Sequence, residues 1–154
     1  MDYQALKDEI QNDPEALGYA QNLPDDHVTV AELLNGDDPA DTTFYESVGS
    51  SKAARIAAES GAYAAIKADA ENASSSTQSN SMAAIDTLRK SGEDFALQLP
   101  KMRQMLQDLV DNDVLTAEQR SAFLAASERP ASRAEAVLGK GTTIDHTDVT
   151  QAFS

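Results

Sequence analysis

Residues 51–70 read SKAARIAAESGAYAAIKADA, and the reading of this stretch decides the fold. On a helix at about 100° per residue, Ala54, Ala57, Ala58, Gly61, Ala64, Ala65 and Ala68 fall within one arc of roughly 120°. Ile56 and Tyr63 flank this small-residue ridge, while Arg55, Glu59 and Asp69 lie away from it with Ile66 among them. Alanine has the best helix propensity, and small side chains let a neighbouring backbone approach closely. The stretch therefore predicts one central helix on which the others pack. The competing reading is an Ala-rich helix lying on the surface.

Working outward, caps and turns divide the chain into short helices. Residues 2–10 predict a helix with Tyr3, Leu6 and Ile10 on one side. Asp13-Pro14-Glu15 has the form of a helix start, with proline at the first helical position. Pro24-Asp25-Asp26 opens a helix carrying Val28, Val30, Leu33 and Leu34, closed by Asn35-Gly36. Residues 37–43 form a polar loop, and Phe44, Tyr45 and Val48 lead to the small-residue turn before the central helix.

After that helix, ASSSTQSNS at 73–81 is the one low-complexity stretch and predicts a loop or frayed end. Met82, Ile85 and Leu88 mark the next helix, with Ser91-Gly92 as its stop. Phe95, Leu97 and Leu99 alternate, but one such run does not make a sheet. Met102, Met105, Leu106, Leu109 and Val110 fit the i, i+3, i+4, i+7, i+8 template of an amphipathic helix. This stripe, with Ile85, Leu88, Phe123 and Leu124, is the expected cover for 51–70. Capping boxes at Thr116–Gln119 and Ser132–Glu135 open two more helices. Residues 142–145 read as extended, and 147–153 as a last helical turn or two. The expected fold is all-α, a single compact domain of about eight short helices over 1–154. Within it lie an acidic helical region at 1–46, central helices at 47–131 and short helices at 132–154.

Charge and composition narrow the function. Of a net −14, residues 1–46 contribute −11, with twelve acidic side chains against Lys7 alone. That third lacks the basic clusters that nucleic-acid phosphates require, so no direct nucleic-acid partner is expected. It suits a basic partner surface, or solubility. There is no cysteine, hence no thiol nucleophile, disulfide or Cys-based zinc site. No apolar run approaches the ~18 residues of a membrane span, and the first residues do not form a signal peptide. The expected setting is a cytoplasm, with no membrane partner.

No constellation of residues predicts catalysis. His27 beside Asp25 and Asp26, and His146 between Asp145 and Asp148, are more simply helix caps than metal ligands. Asp111-Asn112-Asp113 lacks the glycine and glutamate of a calcium loop. Gly139-Lys140-Gly141 lacks the spacing of a phosphate loop, and Gly49-Ser50-Ser51 is not a nucleophile elbow. Arg55 and Glu59, one turn apart, read as a surface pair. The expectation is no enzyme, no cofactor and no metal. The candidate partner-contact residues are Arg55, Glu59, Asp25, Asp26, Asp37, Asp38 and Asp41.

Four stretches together resemble a known family. They are YQALKDEIQNDPEALGYA at 3–20 with AELLN at 31–35, the central SKAARIAAESGAYAAIKADAEN, VLTAEQRSAFLA at 114–125, and PASRAEAVLGKGTTIDHTDVTQAF at 130–153. Their order and spacing resemble a family of uncharacterised tailed-bacteriophage proteins, whose genes lie among those for head and tail morphogenesis. The Ser-rich insert at 73–81 departs from its pattern. The resemblance implies a non-enzymatic virion component at the neck, capsid or tail, made in the host cytoplasm. Its implied partners are other phage structural proteins, in a homo-oligomeric, ring-like or shell-like assembly. No catalytic or ligand residue is carried over. Two alternatives are an acidic DNA-mimic inhibitor of a host nucleic-acid-binding protein and a transient assembly chaperone.

Overall fold

A computed structural model describes residues 1–90 and 92–154, so the helix stop expected at Ser91 lies outside the described residues. Ten helices run through them: α1 (Tyr3–Asn12), α2 (Tyr19–Asn22), α3 (His27–Asn35), α4 (Ser50–Glu59), α5 (Ala62–Ala70), α6 (Gln78–Arg89), α7 (Pro100–Asp111), α8 (Ala117–Ser127), α9 (Arg133–Leu138) and α10 (His146–Ala152). Four short strands accompany them: β1 (Thr43–Tyr45), β2 (Val48–Gly49), β3 (Asp94–Phe95) and β4 (Glu128–Pro130). β1 pairs with β4, and β2 pairs antiparallel with β3 in the register Val48 to Phe95.

The protein is mostly helical but not strictly all-α, which corrects the expectation of no strand pairing. The strands are two or three residues long, too short to leave a period in the sequence. What holds β2 to β3 is burial: Val48 and Phe95 face the core, where Phe95 meets Phe123 at 5.6 Å between ring centroids.

The chain folds into two compact units. One combines residues 1–44 with 130–154; the other is residues 45–129. In the first, Leu6, Ile10, Tyr19, Val30, Leu34, Ala134, Ile144 and Val149 form the core. The side-chain amide of Asn35, at the end of α3, both donates to the Ile144 carbonyl at 2.7 Å and accepts from its N–H at 3.0 Å. One side chain thus satisfies the extended stretch before α10, where a strand partner would otherwise be needed.

In the second unit, Ala53, Ala57, Ala62, Ile66, Ile85, Leu88, Phe95, Leu106, Leu109 and Phe123 share one core. The unbroken helix expected over 51–70 is in fact two helices. Ser60 Oγ donates back to the Ile56 carbonyl at 2.7 Å, and Gly61 then adopts φ 77°, a conformation open chiefly to glycine. From α8, Gln119 Nε2 donates to the freed Ser60 carbonyl at 2.9 Å.

The break re-aims the second half. α4 buries Ala53 and Ala57, and α5 buries Ala62 and Ile66. Ala58, Gly61, Ala64 and Ala68 of the expected ridge are exposed. Ile66, which a straight helix places among the charges, is a core residue. The stripe on α7 buries Met105, Leu106 and Leu109 as its spacing predicts, with α8 and α6 as its principal neighbours.

A second correction falls at Asp13-Pro14-Glu15, which starts no helix. Asp13 ends α1 in the left-handed region at φ 41°, tolerable for aspartate. Its carboxylate then accepts from the N–H groups of Leu17 and Gly18, both at 2.7 Å. The capping carboxylate expected of Asp13 is real, but it closes a turn.

Candidate interaction surface

The structure assigns most ionisable groups of the first unit to bonds within that unit. Arg133, at the start of α9, is buried with its guanidinium facing α1. Nε donates to Glu9 Oε1 at 2.7 Å, and a terminal nitrogen donates to Glu9 Oε2 at 2.9 Å. The other terminal nitrogen donates to Asp38 Oδ1 at 3.0 Å and lies 3.7 Å from Glu15. Tyr19 Oη also donates to Glu9 Oε1, at 3.3 Å.

Every guanidinium nitrogen is engaged, while Asp38 Oδ2 is buried with no hydrogen-bond partner among the described residues. Hydrogen bonds from Arg133 to Glu9, working against burial and joined by those to Asp38, hold the guanidinium more firmly protonated than usual. Burial pushes the Asp38 carboxyl up, but hydrogen bonds from Thr42, Arg133 and the Ala40 N–H outweigh it and keep the group below the ordinary range. Burial, then the Glu9 charge, pushes the Tyr19 phenol up. The sequence does not pair these residues, because Glu9 and Arg133 are 124 positions apart. The one hint is an arginine on the small, apolar SRAEAVL segment.

The sequence-predicted contact residues are scattered in role. Asp38 is 4% exposed and belongs to the Arg133 cluster, so it is no surface group. Asp26 caps α3, accepting from Thr29 N–H at 3.0 Å and from Thr29 Oγ1 at 2.6 Å. The Thr29 hydroxyl and N–H are what hold its carboxyl below the usual range. Asp25, Asp37 and Asp41 are exposed, and the Asp37 backbone bridges to Ser132. In the other unit, Arg55 and Glu59 stand 3.9 Å apart with 69% and 70% of their side chains exposed, the loose surface pair that their spacing predicts.

Both histidines sit beside helix caps. Asp145 and Asp148 close a capping box on α10, each accepting from the other's backbone N–H, and Asp148 also accepts from Tyr3 Oη at 3.2 Å. His27 Nδ1 lies 2.8 Å from Thr150 Oγ1. Among the described residues, no group of three or more His, Asp or Glu side chains is placed to hold a metal ion, and no helix is long and apolar enough to cross a membrane.

Beside His27 lies an open groove of about 470 Å³ lined by Leu23, Pro24, His27, Thr150, Phe153 and Ser154. Its walls come from the α2–α3 turn and the end of α10. Lys7 of α1 holds its ammonium 5.5 Å from the Phe153 ring centroid. Neither the groove nor Phe153 stands out in the sequence, because its two walls come from opposite ends of the chain.

The Ser-rich stretch is a built element. Asp69 of α5 accepts from the hydroxyls of Ser75, Thr77 (3.0 Å) and Ser81 (2.6 Å), and Thr77 and Ser81 are buried. Burial pushes the Asp69 carboxyl up, but these three hydroxyls outweigh it and hold it below the usual range.

No family model, curated protein or solved structure matches the chain.

Proposed function

We propose that this chain is a non-enzymatic component of a tailed-phage particle, positioned at the neck, capsid or tail and acting through protein–protein contacts. The observation that carries the reading is how its ionisable groups are used. Glu9 and Asp38 are both bonded to Arg133, Asp26 and Asp145 cap helices, and Asp69 gathers hydroxyls. Outside those bonds, the exposed Asp2, Asp8, Glu15, Asp25, Glu32, Asp37 and Asp41 give the first unit a largely acidic surface. Such a surface is suited to recognition of a basic partner. The four resembling stretches supply the phage context.

The test is mass spectrometry of purified particles from a phage encoding the chain. Presence at a fixed ratio to a ring or shell subunit supports the reading. Absence from the mature particle but presence in assembly intermediates favours a chaperone. Absence from both, with recovery of a host nuclease, polymerase or nucleoid protein on the tagged chain, favours the acidic inhibitor.

A further inference from the structure

We propose that the groove between the α2–α3 turn and the end of α10 docks a basic segment of a partner protein through one apolar anchor side chain. The inference rests on the reading of the chain as a contact protein, and it names the docking face and the occupant's chemistry.

Two independent observations carry it. The first is shape and lining: Leu23, Pro24 and Phe153 give a pocket of about 470 Å³ an apolar wall, large enough for a leucine or phenylalanine side chain with its flanking backbone. Phe153 remains partly exposed at its edge, and Val28 on α3 stands 54% exposed. The second is charge. The surrounding unit has a net charge of −11, and the exposed Asp25 and Asp26 directly follow Pro24 in the wall. Lys7, the neighbouring cation on α1, has its ammonium over the Phe153 ring and so is engaged within the unit. An apolar anchor without flanking cations would leave the acidic rim unmatched. Cations without an anchor would leave the groove empty.

The probe is a short synthetic peptide with a leucine–phenylalanine centre between lysine pairs, titrated into the ¹⁵N-labelled full chain. Saturable shifts are expected at the amides of His27, Thr150 and Phe153. An alanine-centred version should bind about tenfold more weakly, since one large buried side chain is withheld. Affinity should fall severalfold as salt shortens the Debye length from about 10 to about 3 Å. Thr150→Lys, at an exposed lining position, and Phe153→Ser should each weaken binding, and the first keeps the test valid if the second misfolds.

No saturable shift at these amides overturns the proposal. So does equal binding of the alanine-centred peptide or of one with glutamate in place of lysine. Shifts at these amides on raising protein concentration alone would assign the groove to a second copy of this chain, which also overturns it. The phage reading is judged separately: peptide binding by a chain absent from particles would leave the groove standing and that reading fallen.

Discussion

Arg133 grips Glu9 through two parallel hydrogen bonds of 2.7 and 2.9 Å, joining α9 to α1 across 124 positions of sequence. Bidentate guanidinium–carboxylate pairs are among the strongest charge-assisted bonds, and this one is buried. Removing one partner strands the other's charge in the interior. Arg133→Met should therefore destabilise the protein by about 3–5 kcal/mol in urea unfolding. Arg55→Ala, at the exposed pair, should stay within about 0.5 kcal/mol. Equal effects of the two substitutions would refute the assignment of Arg133 as an internal clamp.

Stability should depend on pH at both extremes, with opposite signs. The Asp38 and Asp69 carboxyls are held below their unfolded value in the folded state. The unfolded chain then binds protons more readily, so their contribution is complete above about pH 3.9 and is lost as pH falls through the folded values. Tyr19 is shifted upward. Its contribution is complete below about pH 10 and is lost as pH rises beyond it. Urea midpoints measured across pH should show both limbs, with Asp38→Asn flattening the acid one and Tyr19→Phe the alkaline one. An alkaline limb that survives Tyr19→Phe unchanged would assign it to other groups.

Gly61→Ala should cost about 1–2 kcal/mol, from the left-handed backbone it must hold and not from crowding. A Cβ at this position would meet only Gln119 Nε2, at 3.8 Å. Ala58→Leu, on the exposed face of α4, should be close to neutral. If the larger loss fell on Ala58→Leu, the small-residue face would be buried after all, and the helix break would not be what orients α5.

The hydroxyl cluster around Asp69 makes a separate prediction. Ser81 is fully buried and donates to Asp69 at 2.6 Å, so Ser81→Ala should cost about 1–3 kcal/mol by leaving the carboxylate short of a partner. Thr87→Ala, on the same helix at a more solvent-accessible position, should change stability by about 0.5 kcal/mol or less. Hydrogen exchange of the 73–77 amides should quicken in Ser81→Ala. Unaltered exchange there would mean that the loop is ordered by something other than Asp69.

Features fixed within one helical turn were legible in the residues. The boxes at Thr116–Gln119 and Ser132–Glu135 form as spaced, and so does the buried stripe of α7. A cap joins groups three positions apart, and a stripe needs only the helical period. At Asp13, by contrast, the same capping chemistry closed a turn, because the carboxylate could reach two later N–H groups. Ser60-Gly61 was equally local, yet a glycine within an alanine-rich run is compatible with a continuing helix. The deciding partner, Gln119, lies 59 positions away.

The residues by themselves thus determined the mostly helical character, the helix starts marked by capping boxes, and the concentration of negative charge at one end. Only the tertiary structure decided where 51–70 breaks, that the hydroxyls of 75–81 gather on Asp69, and that Arg133 sits between Glu9 and Asp38. The groove wall made by Leu23 and Phe153 belongs with these. Helix caps and periodicity are satisfied within a turn or two of chain, whereas a buried charge or a pocket exists only when distant segments exclude water together.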